Sequence, residues 1–313
     1  MESTQLAPIP AAAGQTQSMV DEVDLTPVRT YWQLVRQRFM QHRLAVVGLI
    51  LMTTLTTMAI VIPTVTGDAY QKTSLTLANH PASFINPFAP FGFDTIGQNI
   101  FIRLMKALQT SLFVAFSAVT IIVVIGVTVG AVAGYLGGRV DNALMRLVDI
   151  VLSLPSFFLI VMLVALWGSG NPAVVIFAIG LVGWTTAARL VRGEFLSLRE
   201  TDYVQAARAL GADDRRIVLR HMLPAAMAPV IVAATLGIAD SVVVEATLSY
   251  LSFGISPPEA SLGNMLTNAL EFFFRSPALI FIPGITLILV VLAASFLGDG
   301  LRDALDPRQR VKG

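Results

Sequence analysis

Six long apolar stretches limit the folds open to this 313-residue chain. A membrane-spanning helix needs about 20 mostly apolar residues to cross the hydrocarbon of a bilayer. Lipid offers no hydrogen-bond partner to a free backbone group, and the stretches lack the alternation typical of strands. We therefore predict an all-α membrane protein whose six transmembrane helices cover residues 44–62, 111–136, 150–167, 172–188, 225–254 and 278–297.

The positions of the Lys and Arg residues predict the orientation of these spans. Cytoplasmic connections of membrane proteins are enriched in Lys and Arg. With the N-terminus placed in the cytoplasm, 17 of the 21 basic residues fall on cytoplasmic segments and 4 on outer segments. We therefore expect both the N-terminus and the C-terminus to be cytoplasmic.

Composition and missing motifs exclude several classes of protein. Only 13% of the residues are charged, about half the fraction typical of soluble domains, which argues against a soluble enzyme or a nucleic-acid binder. None of the three lysines follows a glycine, so the chain has no phosphate-binding loop for ATP. His42, His80 and His221 lie outside the predicted spans, which leaves neither a Ser–His pair nor a metal-ligand cluster at membrane depth. We predict a non-catalytic chain that itself binds no metal and no other cofactor.

The spans and the segments between them divide the chain into five predicted regions. Residues 1–27 are predicted to be a disordered cytoplasmic tail. Tyr31, Val35 and Phe39 recur every fourth residue, which indicates a short interfacial helix leading into the first span, within residues 28–62. Residues 63–110 are predicted to form a long external loop, and loops of that length are usually functional. Residues 111–300 form a five-helix core that contains the cytoplasmic loop 199–224, and residues 301–313 form a cytoplasmic C-tail.

The cytoplasmic loop between the fourth and fifth spans has the pattern of two short helices. Thr201 is a predicted N-cap, Gly211 a predicted helix-ending residue, and Asp213 a predicted cap of the second helix, whose end Pro224 restricts. The first helix carries an apolar stripe at positions i, i+3, i+4 and i+7, formed by Tyr203, Ala206, Ala207 and Leu210. The stripe either docks on a partner protein or belongs to an ordinary loop packed on its own helices.

The order of residues in this loop resembles the EAA loop of ABC importer permeases. Gln205-Ala206-Ala207, then Gly211, then His221-Met222-Leu223-Pro224 match that motif, with Gln205 where the family has Glu and His221 where it has Ile. The resemblance implies that the first helix docks in a groove of an ATPase and transmits its closure to the spans. The implied coupling residues are Tyr203, Gln205, Ala206, Ala207, Leu210, Gly211, His221, Leu223 and Pro224.

Three further stretches are similar to one branch of that family, the C-type subunit of dipeptide, oligopeptide and nickel permeases. They are residues 91–103, 137–155 and 297–308, with Gln98 and Asn99 in place of the family's Arg–Asp pair. The resemblance implies a type I importer permease of a bacterial cell membrane. It also implies four kinds of partner: a B-type permease, two ATP-binding subunits that hold ATP and Mg²⁺, an external substrate-binding protein, and membrane lipid.

Two acids lie within the fifth span. A carboxylate costs about 2.5 to 3.5 kcal/mol at the centre of a membrane helix, so Asp240 and Glu245 should face protein or water. Ser241, Glu245, Ser249 and Ser252 share one stripe, which lines a translocation path or forms a buried polar seam. Alternative classes are an ion-coupled secondary transporter that uses Asp240 or Glu245, and a membrane scaffold.

Glycines recur every fourth residue in the second span. They are Gly126, Gly130, Gly134 and Gly138. Small residues at this spacing let two helix backbones approach closely in lipid. We predict a helix-packing face, either within the chain or against a second permease.

Overall fold

The described part of the protein is helical. The computed structural model describes residues 31–80, 89–267, 274 and 276–306, so the predicted tail 1–27 and residues 307–313 of the C-tail lie outside it. Within these ranges only two isolated β-bridges occur and no sheet forms. The helices are α1 (Tyr31–Gln41), α2 (Arg43–Thr66), α3 (Ile100–Leu136), α4 (Gly138–Leu152), α5 (Ser156–Trp167), α6 (Pro172–Arg199), α7 (Asp202–Ala209), α8 (Asp214–Arg216), α9 (Leu223–Tyr250), α10 (Leu262–Leu266) and α11 (Ala278–Leu305).

Five helical segments among the described residues are long and apolar enough to cross a membrane. They contain α2, α3, α6, α9 and α11. The third predicted span, residues 150–167, is not one straight helix, because α4 and α5 meet at an angle of 84° and complete a sixth crossing only as a bent pair. The break lies at Pro155, which has no amide hydrogen to donate and disfavours the helical conformation of Leu154 before it.

The second span begins earlier than the apolar run suggests. We expected it to start at residue 111, but α3 starts at Ile100, so part of the predicted external loop 63–110 is helical. Asn99 caps the helix by accepting hydrogen bonds from the amides of Phe101 and Ile102 at 3.0 and 3.2 Å. Arg103 interrupts the apolar run, but it pairs with Asp94 at 3.3 Å, so a residue of the loop before α3 compensates its charge.

Two helices that run in the same direction, α3 and α6, form the centre of the molecule. Buried residues of α3 and α9 pack with α2 and α11 in one cluster, which includes Leu108, Val242 and Val290. A second cluster joins α3 and α6 to α5 through residues such as Val114 and Val164. The helices therefore surround α3, and α2 and α11 lie on one side of it.

The short N-terminal helix packs on the end of the last helix. We expected its stripe to lie in the membrane interface, and α1 is indeed helical, but Val35 is buried against Ala304 and Leu305. The Tyr31 side chain lies outside the described residues. Because α11 extends to Leu305, residues 301–305 of the predicted C-tail are helical and provide this contact.

The second helix of the loop 199–224 continues into the fifth span. We expected it to end near Pro224, but α8, a π-helical segment Ile217–Met222 and α9 form one uninterrupted helical run. Pro224 stands in the first turn of α9, where a missing amide hydrogen is tolerated. The wider π-helical turn just before it changes the hydrogen-bond register, so the proline does not interrupt the run.

Candidate coupling segment and membrane cavity

The first helix of the loop 199–224, α7, ends as its sequence predicts. Gly211 has a φ of +81°, which is the left-handed conformation that favours glycine. Its amide donates to the Arg208 carbonyl and the Ala212 amide donates to the Ala207 carbonyl, each at 3.0 Å, which is a Schellman ending. Thr201 occupies the N-cap position, but its hydroxyl donates to the Leu198 carbonyl at 2.6 Å and does not cap α7.

Val204 is the one residue of α7 that is buried against the rest of the chain. Val204 is fully buried in a cluster with Phe195, Ile217 and Met222, while the predicted stripe turns outward. Tyr203 is 46% exposed and Leu210 is 88% exposed. Ala206 is also exposed and Ala207 is half-buried. Among the described residues, the structure thus leaves three of the four stripe residues of α7 exposed.

The other residues of the EAA-like motif flank this helix. Gln205 is exposed, and its amide donates to the Glu200 carbonyl at 3.4 Å. His221 and Leu223 are half-buried, and Pro224 is exposed near the start of α9. Asp213 holds the N-cap position of α8 without a side-chain capping bond. These residues lie at the same end of the helix bundle as α7.

Tyr135, at the end of α3, joins the two halves of the loop. Its hydroxyl is hydrogen-bonded to the Asp214 carboxylate at 2.5 Å, and the Arg208 guanidinium lies 6.0 Å from the centre of its ring. A movement of α7 or α8 is therefore linked to the end of α3 as well as to α9.

The polar stripe of α9 is a buried seam over most of its length. Glu245 is fully buried and accepts hydrogen bonds from the Ser111 and Ser249 hydroxyls, both at 2.7 Å. The Ser261 side chain is a third partner of the same carboxyl group. Ser241 is also buried. These contacts connect α3, α9 and the segment after α9. This part of the stripe therefore holds the three elements together as a buried polar seam.

Ser252 departs from the predicted stripe. The helix ends at Tyr250, and Ser252 is exposed with a φ of +65°, so it no longer follows the helical spacing. The chain then turns back beside the spans, and α10 is buried against α9, α3 and α11. A Cβ on Gly263 would collide with the Ala246 carbonyl, so this close approach requires glycine. Ser111 and Ser261 are the partners of Glu245 that the sequence stripe did not reveal, because they come from other elements.

Asp240 faces a cavity. The cavity has a volume of about 480 Å³ and lies between α3, the α4–α5 bend, α6 and α9. Apolar side chains form most of its wall, and its polar side chains are Ser156, Thr185, Thr186, Asp240 and Ser241. Asp240 is exposed, whereas Glu245, on another side of the same helix, is fully buried. The two acids of this span therefore have different environments.

The glycines of the second span lie against α6 of the same chain. A Cβ on Gly126 would lie 2.5 Å from the Ala187 Cβ, one on Gly130 2.5 Å from the Ala188 carbonyl, and one on Gly134 2.6 Å from the Phe195 Cβ. We call this contact the α3–α6 seam. Gly138 is not part of it, because α3 ends at Leu136 and a Cβ on Gly138 would meet no atom within 4 Å.

Two ion pairs hold the amphipathic helix α4 on α6. The Arg192 guanidinium contacts both carboxylate oxygens of Asp141 at 2.5 and 2.7 Å, and Arg189 contacts Asp149 at 2.5 Å. The first pair is the less exposed of the two. The sequence pointed to residues 137–155 by resemblance, but the partners on α6 are visible only in the structure.

Comparison with known proteins identifies two matching family descriptions. Residues 126–311 match the family described as binding-protein-dependent transport system inner membrane component. Residues 30–95 match the N-terminal TM domain of oligopeptide transport permease C. Together these two regions cover most of the chain.

Curated relatives match over nearly the full length. The chain is 37% identical over 281 residues to the dipeptide transport system permease protein DppC of Alkalihalophilus pseudofirmus, covering 89% of this chain and 90% of that protein. It is 35% identical over 279 residues to the oligopeptide transport system permease protein OppC of Bacillus subtilis, covering 89% and 90%. A solved structure of the MetNI methionine ABC transporter in inward-facing conformations matches with a TM-score of 0.55 and 20% identity, covering 65% of this chain and 96% of that chain. This last similarity concerns the fold.

Proposed function

Because the chain belongs to the family of binding-protein-dependent ABC importer permeases, in its peptide C-type branch, we propose that its cytoplasmic segment 199–224 couples ATPase closure to movement of the spans. The family consists of non-catalytic, multi-pass proteins of the bacterial inner membrane. ATP hydrolysis in such systems takes place on partner subunits. The transported solute is a peptide or a related small solute, in line with the names of the relatives.

The observation that carries the coupling proposal is the outward apolar stripe of α7. An isolated helix of eight residues is marginal in water, so α7 depends on packing for its stability. Its buried residue is Val204, whereas Tyr203 and Leu210 are turned outward. Exposed apolar groups on a helix held in one orientation are typical of a docking site. The occupant we propose is an ATP-binding subunit.

A rigid connection supports transmission from this helix to the membrane. The Schellman ending at Gly211 fixes the turn between α7 and α8, and α8 continues without interruption into α9. Displacement of the docked helix would therefore act on the fifth span directly. A ligand or partner can drive such a change only if it contacts the two end states differently. In our proposal the closed ATPase dimer supplies that difference and switches the spans between inward-facing and outward-facing states.

The wider assembly is also part of the proposal. It contains a B-type permease beside this chain, two ATP-binding subunits with ATP and Mg²⁺ below it, and an external substrate-binding protein above it. Both termini are cytoplasmic in this arrangement, which places segment 199–224 on the side of the ATPases. The ion-coupled alternative loses support because Glu245 is fully buried and hydrogen-bonded, and because the family uses binding proteins.

Two matched variants, each with one alanine of α7 replaced by arginine, test the coupling proposal. Ala206 and Ala209 are both exposed residues of α7, but only Ala206 belongs to the stripe. We expect Ala206→Arg to abolish solute-stimulated ATP hydrolysis and uptake by the reconstituted transporter, while Ala209→Arg retains both. The two variants carry the same new charge at the same helix, so their difference isolates the docking face. Equal activity of the two variants at equal expression would contradict the proposal.

Two further substitutions test the rigid turn and the docking face. Proline fixes φ near −65°, so Gly211→Pro cannot adopt the observed +81°. Ala207→Arg places a charge at the half-buried edge of the stripe. We expect both variants to insert into the membrane and to lose solute uptake, measured in membrane vesicles. Normal uptake by either variant would contradict the proposal.

A further inference from the structure

The side chain of Asp240 is a carboxylate near the middle of a membrane-spanning helix. It lies ten residues before the end of α9, which is about 15 Å along the helix axis. It faces the cavity of about 480 Å³ described above. Ionisable residues at this depth almost always pair with one another or face a water-filled space, and they often mark a substrate pathway.

No partner for Asp240 is found in the described part of the chain. Its carboxylate makes no hydrogen bond or ion pair there, and no Lys or Arg is among the residues that line the cavity. Glu245 is a useful comparison, because three serine side chains surround its carboxyl group. The chain thus supplies hydrogen-bond partners for Glu245, whereas the described residues supply none for Asp240. Asp240 is left to bind a group from outside the chain.

The cavity indicates what kind of group that is. Its volume is within the range of about 300 to 1,000 Å³ that small-molecule sites occupy. The wall is mostly apolar, with the hydroxyls of Ser156, Thr185 and Thr186 as further polar groups. A lone carboxylate on an apolar wall attracts a cation most strongly when that cation carries hydrogen-bond donors, as an ammonium group does.

We infer that Asp240 is a specificity-determining residue that binds the ammonium group of the solute during its passage through the membrane. The apolar wall then accommodates the solute's side chains, and the hydroxyls bond to its amide or carbonyl groups. This inference rests on the proposed transport function, but the binding step requires neither ATP nor the coupling segment.

A labelling experiment on the assembled transporter without ATP tests the binding step. Dicyclohexylcarbodiimide converts accessible carboxyl groups in apolar surroundings into stable N-acylureas, which mass spectrometry locates. We expect modification at Asp240 and none at the buried Glu245. Trialanine should protect Asp240, and N-acetyl-trialanine at the same concentration should not, because acetylation removes the ammonium charge and leaves the rest of the peptide unchanged.

The outcomes of this experiment are decisive in either direction. Selective protection by trialanine supports the inference even if the coupling variants show that α7 does not dock on an ATPase. Equal protection by both peptides, or protection by neither, overturns it. Absence of labelling at Asp240 also overturns it, because it shows that a group of the assembled complex already covers the carboxylate.

An uptake measurement tests whether the contact determines specificity. The preference for trialanine over N-acetyl-trialanine is measured for the wild-type transporter and for Asp240→Asn with the same binding protein, so that protein's own selectivity cancels in the comparison. We expect the preference to fall by about tenfold, which corresponds to one charge-assisted hydrogen bond of modest strength. Asp240→Glu should retain part of it. Glu194→Gln removes a carboxylate from α6 outside the cavity and should leave it unchanged. An unchanged preference in Asp240→Asn overturns the inference.

Discussion

The α3–α6 seam and the helix α7 meet at Phe195, yet they differ in how much of their apolar surface is buried within the chain. At the seam, glycines of α3 bring the backbone of one helix against the other, and the contact is completed within the chain. At α7, one valine is buried, Ala207 is half-buried, and the other apolar residues face outward. The comparison teaches that packing within the chain fixes the membrane core, whereas α7 is only held in position and retains a free face.

The largest effect is expected at the residue that both regions share. Phe195 is fully buried, touches Gly134 across the seam and packs with Val204 of α7. Phe195→Ala keeps the Cβ that lies against Gly134 but removes the ring packed with Val204 and leaves a cavity, so we expect a loss of about 3 to 5 kcal/mol in the free energy of unfolding. Unfolding of the detergent-purified chain, followed by tryptophan fluorescence, measures this loss. A loss below about 1 kcal/mol would show that the two regions do not depend on this contact.

A smaller effect is expected from adding one methyl group at the seam. In Gly130→Ala the new Cβ would lie 2.5 Å from the Ala188 carbonyl, so the helices must move apart at a cost of about 1 to 3 kcal/mol. Gly193→Ala is the matched control, because Gly193 of α6 has open space around it. There the substitution should stabilise the helix by about 0.5 to 1 kcal/mol. Equal effects of the two variants on the unfolding transition would contradict a closed seam.

A local effect is expected at the attachment of α7. Val204→Ala removes two buried methyl groups, which corresponds to about 1.5 kcal/mol at about 0.8 kcal/mol per group. Because α7 is short, we expect this loss to increase amide hydrogen exchange in residues 202–212 and to leave the spans unaffected. Val132→Ala serves as the control, because the Val132 side chain on α3 is 40% exposed. If exchange increased equally throughout the spans, α7 would belong to the cooperative core.

The smallest effect on the chain alone is expected at the free face. Leu210 is 88% exposed, so Leu210→Ala should change the free energy of unfolding by no more than about 0.5 kcal/mol. The same substitution removes apolar area from the proposed docking face and should weaken co-purification of the ATP-binding subunits. A large change in the stability of the isolated chain would show that Leu210 is packed within it.

The sequence predicted the spans by composition but not where each helix begins or bends. The apolar run begins at residue 111, whereas α3 begins at Ile100, since Asp94 compensates Arg103 and Asn99 caps the helix. In the third span, the apolar run is continuous through Pro155 although the helix is not. Hydropathy measures the cost of placing side chains in lipid, and it carries no information on such local hydrogen bonds.

The α7 segment shows how well local chemistry can be predicted. Gly211 adopts the left-handed conformation that its position predicts, and three of the four residues predicted to form the stripe are exposed. Both features depend on helix geometry and on residues a few positions apart. The prediction that Pro224 ends the second helix was wrong, because the π-helical segment before it changes the register.

By itself, the sequence determined the all-helical membrane fold and the family, because the length of the apolar runs and the spacing of the motif residues are local properties of the chain. Only the tertiary structure decided that Glu245 is bonded to serines of other elements while Asp240 faces a cavity. It also decided that three of the four glycines meet α6 and that Gly138 does not. The physical reason is that hydrogen bonding and close packing depend on distances between segments far apart in the chain, which the spacing along one helix does not contain.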